Sequence, residues 1–541
     1  MWNKRTMGIL AGGLFAASMA VAAVSPVSDA AQKADKAGLV ALLKQKADVN
    51  APQGDGMTAL HWAAYRGDTE MADALVKAGA NVKAVTRNGN ITPFSLACQN
   101  GNAAMIELLL KAGADPNGVI LEGQTPLMTA AHSGNLDAVN VLLSHGVNVN
   151  AVEPFRGQTA LMWAAAEKHP AIVKALLAKG ADPNIHSAVV NFGGGGRGGA
   201  AVPRVDADGN PLPDAPAAPA ANGKDVPPVP LPRPEGVLFS GGILAAGGKV
   251  SAPFTVKGGF TALTYAAREG DLESTKILVE AGADVNQQTT GDKSSALIEA
   301  ISNGHLDLAN YLLGKGANPN LLNVYGESAL YAAVDFRNVE ISWRPTPRTF
   351  EEKVDTLALT RALLEHKADP NIRLIRKLPF RSIQDRQWMG TAGATAFWRA
   401  AVSDDVDAMK LLVEQGANPN IPSYEGNTPL MVAAGIGWEG GATQTWPDSL
   451  IPAVKFCLDH GADINAENMY GYSALHGAGY RGNNDLIKFM VEKGANLMAK
   501  NKAGQTARDM ANGSKPTDDA PIVLQSTVDL FDQLLAAQNK K

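Results

Sequence analysis

Apolar positions in this chain come in short bursts with helical spacing, and the bursts recur. In "TALHWAAYRGDTEMADALVKAGANVK" a Thr is followed by Leu, an Ala-Ala pair and a Gly. A second apolar run and a Gly-Ala-Asn turn complete the unit. "TPLMTAAHSGNLDAVNVLLSHGVNVN" and "TALTYAAREGDLESTKILVEAGADVN" repeat the pattern. The opening Thr or Ser falls at Thr58, Thr92, Thr125, Thr159, Thr261, Ser295, Ser328, Thr395, Thr428, Ser473 and Thr506. The spacings are 34, 33, 34, 102, 34, 33, 67, 33, 45 and 33, a single period stretched in three places.

Each unit predicts two short antiparallel helices and a turn. The Thr or Ser hydroxyl caps the first helix, and Pro93, Pro126 and Pro429 sit at its first position, where no amide donor is lost. Paired alanines let helices approach closely. A Gly (67, 101, 134, 270, 304 or 482) ends the first helix in most units, and Gly-Ala-Asp/Asn leads out of the second. One such pair cannot bury its apolar face alone; stacked neighbours do that.

These units resemble the ankyrin repeat in their "TPL", "AA", Gly, "LL" and "GADPN" or "GADVN" segments. The likeness covers about residues 31–187 and 258–513. It implies an all-α solenoid of about eleven helix-turn-helix units with short hairpin fingers. The first unit, around "AGLVALLKQKADVN", reads as a truncated cap, and 514–541 as a closing helix. The resemblance further implies a non-catalytic protein whose concave face, made by the fingers and the exposed ends of the first helices, binds other proteins. The corresponding positions here are Tyr65, Arg66, Gln99, Asn100, His132, Arg268, Tyr480 and Arg481. Tyr and Arg at both ends of the array suit a binding surface, since these types dominate interface hot spots.

The N-terminus changes the expected compartment. Lys4 and Arg5 precede the apolar stretch Met7 to Val24, and Ser28-Asp29-Ala30 is a small-x-small pattern. Residues 1–30 therefore read as a signal peptide cut after Ala30, with Ala20 and Ala23 as alternatives. The mature protein is expected to be exported, periplasmic or secreted from a bacterium, and monomeric. Export would permit a disulfide. Cys98 and Cys457, however, lie far apart in the array and occupy core slots, so they read as buried free thiols. A formal charge of −5 over 541 residues does not suggest a nucleic-acid or anionic-membrane binder.

The three stretched intervals carry insertions. Residues 188–257 are rich in Gly, Ala and Pro, too poor in large apolar groups to order themselves, and read as extruded from a continuous array. The second interval is enlarged within 337–393 and the third at 435–449. Five of eight tryptophans fall between 343 and 446, and nine of 19 arginines between 337 and 399. The group Trp343, Arg344, Arg376, Arg381, Arg386, Trp388, Trp438 and Trp446 supports two readings. In one, tryptophans bury and arginines pair with Glu351, Glu352, Asp355 and Asp385. In the other, aromatic faces and guanidiniums hold a small anionic or sugar-like ligand. The inserts after Asp335 and Gly435 flank a unit with the short turn "SDDV", over which they could meet.

No catalytic or metal-binding spacing accompanies these features: there is no Gly-x-Ser-x-Gly, His-Glu-x-x-His or Cys-x-x-Cys. His61 and His476 occupy one repeat slot, where an imidazole would brace the hairpin backbone. The sequence thus points to non-covalent protein binding without a cofactor or metal.

Overall fold

The computed structural model describes residues 25–87, 89–119, 123–191, 256–338, 351–378, 389–438, 450–514 and 522–539. They divide into two compact units between Asn148 and Val149, each a stack of helix pairs. In the N-terminal unit the pairs are Pro26–Gln32 with Lys36–Lys44, Ala59–Arg66 with Thr69–Lys77, Pro93–Gln99 with Ala103–Lys111, and Pro126–Ser133 with Leu136–Ser144. The C-terminal unit opens with Ala160–Ala166 and Pro170–Ala178, then Ala262–Glu269 and Leu272–Glu280, then Ala296–Ser302 and Leu306–Gly314. It continues with Ala329–Arg337 and Thr356–Glu365, Ala396–Val402 and Val406–Glu414, and Pro429–Ala434 and Leu450–Asp459. Ala474–Arg481 with Asn484–Glu492, and Ala507–Ala511 with the long Gln525–Gln538, complete it.

The local reasons match the repeat. Thr92, Thr125, Thr159, Thr261, Ser295, Ser328, Thr395, Thr428 and Thr506 each accept a bond from the amide three residues on. At the first-helix C-termini Gly67, Gly134, Gly270 and Gly482 take left-handed backbone, with φ of 71°, 78°, 76° and 73°. Ala34, Lys168 and Asp404 stand in that slot with φ of 57°, 61° and 56°, where a side chain is strained. The paired alanines, such as Ala63 and Ala64 or Ala400 and Ala401, are fully buried. Within each unit the first helices of successive pairs pack closely, while second helices stack more loosely. Cys98 and Cys457 are buried and unbridged, and burial pushes the Cys457 thiol up to about 12.

Successive pairs are stitched at the turns by asparagine. Asn50 Oδ1 accepts from Asn81 N at 2.7 Å, and the same bond recurs from Asp182 N to Asn150 and from Asn318 N to Asn286. Across the 188–257 insertion the stitch is unbroken. Asp284 N donates to Asn184 at 3.0 Å, and Ala160–Ala166 packs directly on Ala262–Glu269. Val189–Asn191 pairs antiparallel with Val256–Gly258, in register Val190 to Lys257, bringing the two ends of the insertion together. That two-stranded ribbon is the one sheet among the described residues.

The first unit is not truncated. Pro26–Gln32 is a full first helix with Val27 and Ala31 buried, and twelve helix pairs stand among the described residues, in line with the expectation of about eleven units. Its opening Ser25 lies one period, 33 residues, before Thr58. The unit escapes the motif because "PVSDAAQ" keeps the Ala-Ala pair without the "T-x-L" opening. At the other end Gln525–Gln538 packs on Ala507–Ala511 and closes the stack.

Candidate functional site

Within each unit the last turns of successive first helices lie along one edge, and the sequence-derived binding residues sit there. In the N-terminal unit that edge is open. Tyr65 is 54% exposed, its ring held edge-on against Trp62 at 5.9 Å between centroids. Gln99 and His132 are exposed on the next two first helices. Arg66 and Asn100 are partly used by the scaffold: Arg66 donates to Gln32 O, and Asn100 Nδ2 donates to Tyr65 O at 2.9 Å.

In the C-terminal unit the same edge is closed by ion pairs. Asp335 accepts from Arg399 Nε at 2.7 Å, and Asp405 accepts from Arg337 Nε at 2.7 Å. Arg399 also donates to Asn338 O at 2.7 Å. Arg481 reaches back past an intervening unit, its Nη2 3.0 Å from Asp404 and Nη1 3.4 Å from Ala433 O, and lies over the Trp438 ring at 5.3 Å. Arg481 is 10% exposed and Asp404 0%. Burial pushes the Asp404 carboxyl up to about 7, against the opposing pull of Arg481. Asp404 Oδ1 and Trp438 Nε1 are buried without a hydrogen-bond partner among the described residues.

The short turn Ser403-Asp404-Asp405 is thus a hub receiving arginines from the units on both sides. Two residues placed in different sets by sequence, Arg481 and Trp438, form one contact. Of the four carboxylates that the sequence offers as partners for the insertion arginines, Asp385 lies outside the described residues, and Glu352 and Asp355 each accept a backbone amide. Glu352 accepts from Asp307 N at 2.6 Å, and Asp355 caps the helix Thr356–Glu365 through Ala358 N at 2.7 Å. The hub has one signal in the sequence: Asp404 occupies the slot that seven other units give to glycine.

Other members of the Trp/Arg group separate. Trp398, which falls within the same Trp-rich stretch, is buried core. Its Nε1 donates to Asn427 O at 2.9 Å from the slot that His61 and His476 hold elsewhere. In those two units Thr58 N and Ser473 N donate to the imidazole Nδ1, so Nε2 carries the proton and donates to Ile91 O and Gln505 O at 2.9 and 3.1 Å. Burial holds both histidines below their ordinary pKa, against the opposing carbonyl bonds. Arg373 staples two fingers by donating to Gly393 O and Pro422 O at 2.9 and 2.7 Å, beneath the Tyr424 ring. Arg376 is exposed. Arg268 lies over Phe260 and Tyr265 at 5.1 and 5.2 Å and pairs with Glu269, and Tyr480 is half-buried. Trp343, Arg344, Arg381, Arg386, Trp388 and Trp446 lie outside the described residues.

Among the described residues no group of three or more His, Cys, Asp or Glu is arranged to hold a metal ion. No described helix is long and apolar enough to cross a membrane. The arrangement can present a braced surface.

Comparison with known proteins accords with the repeat geometry. The model for ankyrin repeats (3 copies) matches residues 27–120, 118–187 and 263–343. The model for ankyrin repeats (many copies) matches 397–438, and the single ankyrin repeat matches 425–469 and 470–502. The ankyrin repeat and KH domain-containing protein mask-1 of Caenorhabditis elegans is 28% identical over 380 residues, 69% of this chain and 11% of that protein. The putative palmitoyltransferase ZDHHC13 of Danio rerio is 31% identical over 249 residues, 46% of this chain and 31% of that protein. The ankyrin repeat and SAM domain-containing protein 6 of Danio rerio is 27% identical over 165 residues, 29% and 21% respectively. The chain therefore spans about a tenth to a third of the length of these relatives.

Proposed function

This chain belongs to the ankyrin-repeat family, and from that premise we propose that it is an exported, non-catalytic scaffold binding other proteins along its first-helix edge. The observation that carries the proposal is the contrast along that edge. Tyr65 and Gln99 stand exposed on successive first helices, whereas Arg337, Arg399 and Arg481 are engaged within the protein. Tyr65 has the properties of an interface anchor. It is a large amphipathic ring, exposed, yet held in place by Trp62, so little side-chain entropy is lost on binding. The export part rests on Lys4, Arg5 and the apolar stretch Met7 to Val24.

A small anionic or sugar-like ligand at the Trp/Arg insertions is the weaker reading. One face of Trp438 is covered by Arg481, and Arg481 is committed to Asp404, so neither is free to receive a ligand without breaking a buried pair.

The test is affinity capture on the full exported chain, identification of bound proteins, and titration of each purified partner against variants. Tyr65→Ala combined with Gln99→Ala is expected to weaken binding at least tenfold, or about 1.4 kcal/mol, with an unchanged circular dichroism spectrum. Wild-type affinity in that double variant would refute binding at this edge.

A further inference from the structure

The helix Pro26–Gln32 sits where the sequence pattern alone places a signal-peptidase cut, and the two are incompatible. Its register copies the first helices that follow: Val27 takes the slot of Leu60, and Ala30 and Ala31 take those of Ala63 and Ala64, one period on. Ser25, Val27, Ser28, Ala30 and Ala31 are all buried, and the helix packs on Ala59–Arg66. Ser28 Oγ donates to Ala51 O at 2.7 Å, and Gln53 Nε2 donates to Asp29 Oδ1 at 2.7 Å, tying the helix to the first finger. Cleavage after Ala30 would remove the residues that make these bonds. It would also uncover the apolar side of Ala59–Arg66 at the end of a stack, where terminal repeats must shield the core.

We infer that processing occurs upstream of Ser25, at Ala20-Val21-Ala22, and that residues 25–32 remain in the mature chain as its N-terminal capping helix. Ala20 and Ala22 supply the small side chains that a signal peptidase requires at the third and first positions before the cut. Ala23 and Val24 are then the only residues ahead of the buried Ser25. Ser28-Asp29-Ala30 keeps the small-x-small spelling because Ser28 and Ala30 face a crowded helix joint, not because a protease reads them.

The inference rests on the exported reading, and one experiment distinguishes the failure of each. The full-length chain is expressed, cells are fractionated, and the N-terminal peptide and intact mass are measured in each fraction. A chain beginning between Val21 and Ser25 in the exported fraction is the expected result. A chain beginning at Ala31 there overturns the inference while leaving export intact, as does an exported chain retaining Met1. A chain found only uncut in the cytosol overturns both. As a second measurement, purified chains beginning at Ala23 and at Ala31 are compared by hydrogen exchange. The shorter chain should lose protection throughout Lys36–Lys44 and Ala59–Arg66; equal protection would overturn the capping role.

Discussion

The first-helix edge of the N-terminal unit and that of the 335–481 region are built from the last turns of equivalent helices and are used in opposite ways. In one, Tyr65, Gln99 and His132 project into solvent over a core that glycine and alanine complete without them. In the other, Asp335 holds the slot of Tyr65, Gln99 and His132, and Arg337, Asp404 and Arg481 stand one or two places further on; all four are drawn into pairs that cross repeat boundaries. The difference follows from what the units must hold. Repeats with short turns stack through apolar contact and exposed polar stitches, whereas buried ion pairs tie together the units around the two inner insertions. An array can thus leave one stretch of its edge available for partners and use another to hold itself.

The sharpest way to break this contrast is Arg481→Ala. It leaves Asp404 buried without its partner and is expected to destabilise the C-terminal unit by about 3–5 kcal/mol, read as a lowered denaturation midpoint. A change under about 0.5 kcal/mol would show the pair to be incidental. Tyr65→Ala should behave inversely, with stability within about 0.5 kcal/mol of wild type and partner binding weakened.

Trp398→Phe refines the picture within the core. It keeps the ring but leaves Asn427 O unpaired, so a loss of about 1–3 kcal/mol is expected in thermal or urea unfolding. A neutral result would mean that the ring's packing, not its N–H, braces the finger.

The smallest effect concerns pH. His61 and His476 are held neutral, below their unfolded pKa of 6.5, so the unfolded chain binds more protons as pH falls past 6.5. Their contribution is complete above that pH and is lost on acidification. Hydrogen-exchange protection at Thr58 N and Ser473 N should decline below pH 6.5, while the finger braced by Trp398, which does not titrate, should hold. Parallel decline at all three fingers would assign the effect to general acid unfolding.

Much of this molecule is written locally. Helix pairs, hydroxyl caps, glycine stops, the histidine brace and the core positions of both cysteines follow from a pattern spanning about 33 residues, because each feature is satisfied by neighbours within one repeat or the next. Even the N-terminal helix was legible in the spacing from Ser25 to Thr58, though its disguise as a cleavage motif hid it. What only the tertiary structure decided is where the charges of the C-terminal unit go. Arg337 finds Asp405 68 residues away, Arg399 finds Asp335 at 64, and Arg481 finds Asp404 at 77. Such pairings depend on how irregular turns let successive repeats settle against each other, and composition cannot encode that register. Trp398 and Trp438 fall in the same Trp-rich stretch of sequence; stacking put the first into the core and laid the second beneath an arginine from the following unit. A periodic pattern fixes which residues face inward, and the stacking of its imperfect copies decides which charges meet.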